Sequence, residues 1–282
     1  MKHLIRKIIH RALVGVWVTG ASGLAGQAFA QAAYPSADAA AQALVSSIAT
    51  SDQDQLKHVL GADFHRYVPR DSVSQEDIYA FLAGWSKHHE VVSTGPASAA
   101  LVVGEHDWTF PAPIVEGKNG WRFDVREGAR EMQRRRIDRN EIAAMETLRV
   151  LCAAQERYRS SVGQGKPAQR IVSREGQYDG LYWEPTGQSS PPSPLTDDAL
   201  VMGPEVPADA ALHGYRYAML SPADETGCAF AAWPAKYGQS GVHSFVIGPQ
   251  GNILERDFGR PSTIKDHRSV AETSPGWAQA LP

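Results

Sequence analysis

The chain has 282 residues, a formal net charge of −3 and only two cysteines. That length supports one large or two ordinary domains with cores of their own, and two cysteines exclude a scaffold built on disulfides. The mild acidic balance excludes a nucleic-acid partner, which would need positive charge gathered on one face.

In chain order, residues 1–30 come first and read as a secretory signal peptide. Lys2, Arg6, Lys7 and Arg11 make a cationic start, residues 12–18 an apolar core, and Ala28-Phe29-Ala30 a small-residue gate before Gln31. Gly20, Ser22 and Gly23 cut the apolar run well short of the roughly 18 residues a membrane span needs, so no stable membrane insertion is expected after cleavage. Loss of the leader removes four positive and no negative charges, taking −3 to −7. The expected location is periplasmic or secreted, with cleavage after Ala30.

The first unit is expected over residues 34–125. Ser36 can cap a helix carrying Ala41, Leu44, Val45 and Ile48 on one stripe. A second helix runs from Asp52 to Leu60 and ends at Gly61, and a third starts at Ser74 with Asp77 in capping-box position and Ile78, Phe81, Leu82 and Trp85 on one face. Residues 90–94, 99–103, 107–110, 114–116 and 121–125 then read as short strands, with Asn119-Gly120 as a tight turn. Helices followed by an antiparallel sheet make an α+β layer packing. This order, with the opening Pro35-Ser36-x-Asp38-Ala39-Ala40, resembles the cone-shaped nuclear transport factor 2-like domains. The resemblance implies a cavity whose candidate polar lining is Tyr67, His106, Asp107 and Trp108. The plainer alternative makes Trp108, Phe110, Trp121 and Phe123 inward residues of a hairpin and Asp107 a strand-start residue.

Residues 126–136, with Arg126, Arg130, Arg134, Arg135 and Arg136 among Glu127 and Glu131, are expected as a basic linker; the acids preceding bases also suit exposed helix pairs. The second unit is expected over 137–260. From Ile137 a long helix places Ala144, Leu148, Leu151, Cys152, Gln155 and Tyr158 on one stripe, and Gly163 ends it. Residues 213–220, 227–233, 241–248 and 252–258 read as an antiparallel meander beneath that helix, again α+β. Residues 261–282 are expected as a flexible tail. Cys152 and Cys228 are open to a disulfide or to buried thiols.

The helix run Arg139-Asn140-Glu141-Ile142-Ala143-Ala144 and the strands after it resemble pilin-like domains, although a whole unit and a charged linker stand where a pilin carries its apolar segment. Asp179-Gly180-Leu181-Tyr182-Trp183, the Pro191-Pro192-Ser193-Pro194 loop and Ala232-Trp233-Pro234-Ala235-x-Tyr237-Gly238-x-Ser240-Gly241-Val242 occur together in one order. The chain is thereby similar, over most of residues 35–260, to a bacterial secreted family catalogued as domain of unknown function 2950. The resemblance implies no activity.

Metalloprotease, thiol-redox, hydrolase-elbow and P-loop signatures are missing, and no cofactor or metal is expected. Gly163-Gln164-Gly165-Lys166-Pro167-Ala168 follows a helix instead of a strand, so it is not a dinucleotide loop, and His88-His89-Glu90 reads as a solvated helix end. The aromatic cluster Tyr182, Trp183, Tyr215, Tyr217, Trp233 and Tyr237 is too dense for alternate burial, so part of it is expected at the surface as a binding site, the plainer alternative being that the rings cover the sheet edge and the long loop. The leading expectation is a non-catalytic periplasmic binding or assembly module that engages another cell-envelope protein. The alternative is a small-ligand carrier or enzyme that uses the cavity of the first unit.

Overall fold

A computed structural model describes residues 31–66, 68, 73–185, 187, 189–203, 206–207, 210–220, 228–267 and 275–280. The expected leader and Tyr67 lie outside these residues. Helix α1 (Ala37–Ala49) begins where Ser36 Oγ accepts the Ala39 N–H at 3.1 Å. Helix α2 (Gln53–Leu60) is capped by Asp52, which takes the Asp54 and Gln55 N–H groups. Helix α3 (Gln75–Lys87) opens on a complete Ser74–Asp77 capping box. The strands β1 (His89–Gly95), β2 (Ser98–Val103), β3 (Trp108–Thr109), β4 (Ile114–Gly117) and β5 (Gly120–Phe123) follow. They form one antiparallel sheet in the order β1-β2-β4-β5, with β3 paired to β2 on the side away from β1. Helices cover one face, where Ala40, Ala41, Leu44, Val59, Leu101, Val103, Ile114 and Phe123 make the core.

Helix α4 (Val125–Ser160) is the largest departure from expectation, because its 36 residues take in the stretch read as a basic linker. The reason is local. Asp124 caps it by accepting the Glu127 N–H at 3.0 Å, and Glu127 and Glu131 pair with Arg130, Arg134 and Arg135 one turn away, so the charges reinforce the helix. Its first turns belong to the first unit: Gly128 lies so close to Ala112 that a Cβ there would stand 2.7 Å from the Ala112 Cβ. Arg135 donates to both the Thr109 carbonyl and Oγ1 at 2.9 Å. Its later turns, Ala144, Met145, Leu148, Leu151, Ala154 and Tyr158, belong to the second core. Among the described residues no helix is long and apolar enough to cross a membrane.

The second sheet is an antiparallel meander of β8 (Tyr215–Met219), β9 (Phe230–Pro234), β10 (His243–Ile247) and β11 (Ile253–Asp257). A parallel pair, β6 (Arg170–Val172) with β7 (Gly180–Tyr182), stands beside it. The two units are both α+β, each with helices over an antiparallel sheet. The described residues of the expected tail, 261–267 and 275–280, are not free. Ala278–Gln279 form β12, which pairs with β11, and Ala280 is buried. Ile264 and Trp277 pack against Trp233, Ala231, Val246 and Leu254, so this segment covers the face of the sheet opposite α4. Cys152 on α4 and Cys228 before β9 are joined by a disulfide, with 4.9 Å between their Cα atoms.

Candidate functional site

The two-sided cover of the second sheet decides the fate of the expected aromatic surface. Tyr182, Trp183, Tyr215, Tyr217 and Trp233 are all 9% exposed or less, so this set is core and the surface reading is corrected. Both faces of β9 are interior: Phe230 and Ala232 look to α4, while Ala231 and Trp233 look to the C-terminal segment. Their polar tips are satisfied inside the fold. Trp183 Nε1 donates to the Pro191 carbonyl at 2.9 Å, and Ser193 Oγ donates to the Leu181 carbonyl at 3.1 Å, so the proline loop is laced to β7. Burial pushes the Tyr217 phenol up to about 12, and burial with the neighbouring Glu141 carboxylate pushes the Tyr215 phenol further still. Tyr237 alone of the set is half-buried, and its hydroxyl donates to Asp257 at 2.9 Å.

The described candidates of the first unit stand at the surface. His106, Asp107 and Trp108 are exposed on the turn joining β2 and β3, with Asp107 at φ 52° and Trp108 45% exposed. The interior is filled instead by Phe81, Trp85, Phe110 and Trp121 against Phe123. Trp108 is thus not an inward hairpin residue either; it stands at the edge of Phe81 and under the Arg135 guanidinium, 6.0 Å from its ring centre. His89 is taken up locally, with Nδ1 2.9 Å from the Trp85 carbonyl and its ring stacked on the Trp85 indole. Among the described residues no group of three or more His, Cys, Asp or Glu side chains is placed to hold a metal ion.

What the fold does bring together lies along α4. Glu141 is 15% exposed and reaches the turn before β10. Its Oε1 accepts the Val242 and His243 N–H groups at 2.8 and 3.0 Å, and its Oε2 meets His243 Nδ1 at 3.1 Å. A carboxylate can only accept at that contact, so it is Nδ1–H that points to Glu141. Tyr215 closes the cluster by donating to the His243 carbonyl at 2.8 Å, and a Cβ on Gly241 would clash with the hydroxyl end of the Tyr215 side chain. His243 stands opposite Asp257 in the ladder. The Gly259 N–H and then the Tyr237 hydroxyl hold the Asp257 carboxyl below its ordinary value. A carboxylate orienting an imidazole is half of an acid–base device. The other half is missing among the described residues, since no hydroxyl or thiol bonds to the His243 ring, Ser244 is paired with Ser262, and both cysteines are bonded to each other. The cluster clasps α4 to the turn before β10.

One turn further along α4 the same flank opens into a cavity of about 290 Å³. Ala143, Thr147, Val150 and Leu151 form one wall, and Leu195, Ala199, Met202 and Leu212 the other. Glu146, which pairs with Arg149 at 3.4 Å, stands at the rim with Asp198 and His213, and among the described residues no lysine or arginine lines the cavity itself. Val150 and Leu200 remain 42% and 49% exposed beside it. Sequence reasoning missed both features. Glu141 figured only as a member of the run 139–144, with no role of its own, and its partner His243 is 102 residues away. The cavity is made by the loop after the proline run, whose position no local pattern specifies.

No curated protein and no solved structure matches the chain. One family does: the one described as a protein of unknown function (DUF2950), over residues 31–226 and 223–279. With matches across nearly all of the residues that build both sheets and the helix between them, the chain belongs to the DUF2950 family.

Proposed function

We propose that this chain is an exported, non-catalytic binding module of the cell envelope whose contact site is the groove between α4 and residues 195–202 and 212–213. The observation that carries the reading is the 290 Å³ cavity with apolar walls and an acidic rim, in a molecule whose expected aromatic surface and first-unit cavity are both filled. Its volume lies at the lower end of the range for ligand pockets, enough for one or two side chains of a partner. Its acidic rim favours a partner segment that pairs an apolar body with a positive tip. Export is supported by the leader-like residues 1–30 and by the Cys152–Cys228 disulfide, a bond characteristic of oxidising compartments. In this reading the first unit is nuclear transport factor 2-like, the second pilin-like, and α4 is the element they share.

Two measurements test the proposal. N-terminal sequencing of protein recovered from outside the cytoplasm should begin at Gln31; a start at Met1 refutes export. Cross-linking in cells followed by mass spectrometry should recover an envelope partner with the wild-type chain and lose it with Ala143→Trp, which fills the groove, and with Asp198→Lys, which reverses its rim. A partner retained equally by both variants places the contact elsewhere.

A further inference from the structure

We propose that this protein forms a two-fold dimer by antiparallel pairing of β1 with β1 of a second copy, centred on Val92. The inference goes beyond the groove and concerns the other end of the molecule. Among the described residues strand β1 is an edge of the first sheet, because β3 and β4 both pair with the far side of β2. It is also open. His89, Glu90, Val92, Ser93 and Thr94 are all exposed, and Val92 is 39% exposed. The opposite edge differs, since Tyr34 caps β5 by exchanging two backbone hydrogen bonds with Trp121 at 2.8 Å.

The phase of the ladder says which backbone groups are free. The Gly104 N–H donates to the His88 carbonyl, and His89 stands opposite Val103. In an antiparallel pair the bonded positions alternate, so His88, Glu90 and Val92 turn their N–H and C=O groups toward β2, while His89, Val91 and Ser93 turn theirs to solvent. A seven-residue strand with such a free row is a template for another strand. Natural edges are blunted by lysine, proline or bulges; β1 has neither lysine nor proline, and its one irregularity falls at its end, between Ser93 and Gly95.

A second copy is the occupant that the sequence of β1 fits. Antiparallel self-pairing about Val92 bonds Val91 to Ser93 of the other copy and Ser93 to Val91, using the free groups of both. The side-chain pairs are then Val92 with Val92, Glu90 with Thr94 and His89 with Gly95, so the exposed valines meet and no like charges do. This is the self-complementarity that a closed two-fold interface requires. Helix α3 adds an independent reason. It packs beside β1, carries Ile78, Phe81, Leu82 and Trp85 on one face, and buries no side chain fully; Tyr79 is 64% exposed. Pairing at β1 brings two such helices into the same interface and covers surface that one copy leaves half-wet.

Sedimentation velocity of the leader-free chain, from about 1 to 100 µM, reads the outcome in the affinity range of a small interface. A reversible dimer is expected. Val92→Lys places two lysines face to face and raises the dissociation constant by about tenfold or more. Ser93→Pro removes an outward N–H that the monomer does not use, which edge strands tolerate, and has the same effect. Ile142→Lys, at a position 61% exposed on α4, leaves the dimer intact. Circular dichroism checks that each variant is folded. Val92→Cys should cross-link through the two-fold under oxidising conditions, because facing residues of a non-bonded antiparallel pair lie about 4.5 Å apart at Cα, within disulfide reach; Thr94→Cys should not. A monomer throughout, or a dimer indifferent to both β1 variants, overturns the proposal. Either result leaves the groove reading untouched, since that rests on partner capture.

Discussion

Removing the Cys152–Cys228 bond is the sharpest single test of how the second unit is held. The two cysteines are 76 residues apart, so the bond closes a loop that takes in the end of α4, β6, β7, the proline run and β8. On the chain-entropy account a loop of that length restricts the unfolded chain by roughly 15 cal/mol/K, or about 4.5 kcal/mol at 25 °C. For a cooperative unit of this size that corresponds to a fall in melting temperature of roughly 9–18 °C. The variant to use is Cys152→Ala with Cys228→Ala, because Cys228 is only 9% exposed and serine would bury a hydroxyl there. Differential scanning calorimetry should give the same lowered transition for this variant and for wild type under reductant. A shift within about 2 °C would refute the reasoning, since it would mean that the unfolded chain is already restricted over this loop or that the second unit is not the one whose melting is observed.

Three further outcomes follow from named contacts. Glu141→Ala leaves the Val242 and His243 N–H groups without an acceptor beneath α4 and should cost about 2–5 kcal/mol by urea denaturation; Glu141→Gln keeps an amide oxygen there and should cost less than half as much. His267 is fully buried among Trp233, Phe258 and Trp277, and burial lowers its pKa although the Thr263 carbonyl opposes this. Below about pH 6.5 the unfolded chain binds a proton that the folded chain refuses, so stability falls with acidification, and His267→Gln should remove that part of the fall in thermal melts. Arg260, and then the Thr263 N–H, hold the Asp266 carboxyl well below the usual carboxylate range. Its contribution is present above about pH 4 and lost as pH falls further, so Asp266→Asn should flatten the acid limb of the same titration.

The first unit was legible where its signals are local. Ser36, Asp52 and Ser74 cap the helices they were read to cap, and the five strands fall where β-branched and aromatic residues cluster between turns. The start of α4 was not, because a charge-rich run supports either a solvated linker or a salt-bridged helix, and only the Asp124 cap and the contact of Gly128 with Ala112 separate the two. The aromatic set was misjudged for a different reason. Period-2 burial assumes one wet face, and β9 has none, since Ile264 and Trp277 close over Trp233 from a segment that lacks strand or helix periodicity. A cover supplied from 30 to 45 positions down the chain leaves no trace in the pattern of the strand it covers.

The residues by which the family is recognised therefore report packing. Asp179 accepts the Arg174 N–H and ties the turn before β7, and Gly180 stands where a Cβ would crowd the Ser173 backbone. Trp183 and Ser193 lace the proline loop to β7, and the Ser240-Gly241-Val242 turn is held by Asn140 and Glu141. Each of these motifs closes against β7 or α4, so each fixes the position of the two walls of the groove. The groove itself is made by Ala143, Glu146, Val150, Asp198, Met202 and His213, which belong neither to the Asp-Gly-Leu-Tyr-Trp motif nor to the turn motif. Substitution at the motifs should therefore register as lost stability, whereas substitution at the groove should change partner capture with the melting temperature preserved. On the proposed reading, that division separates the scaffold from the contact site.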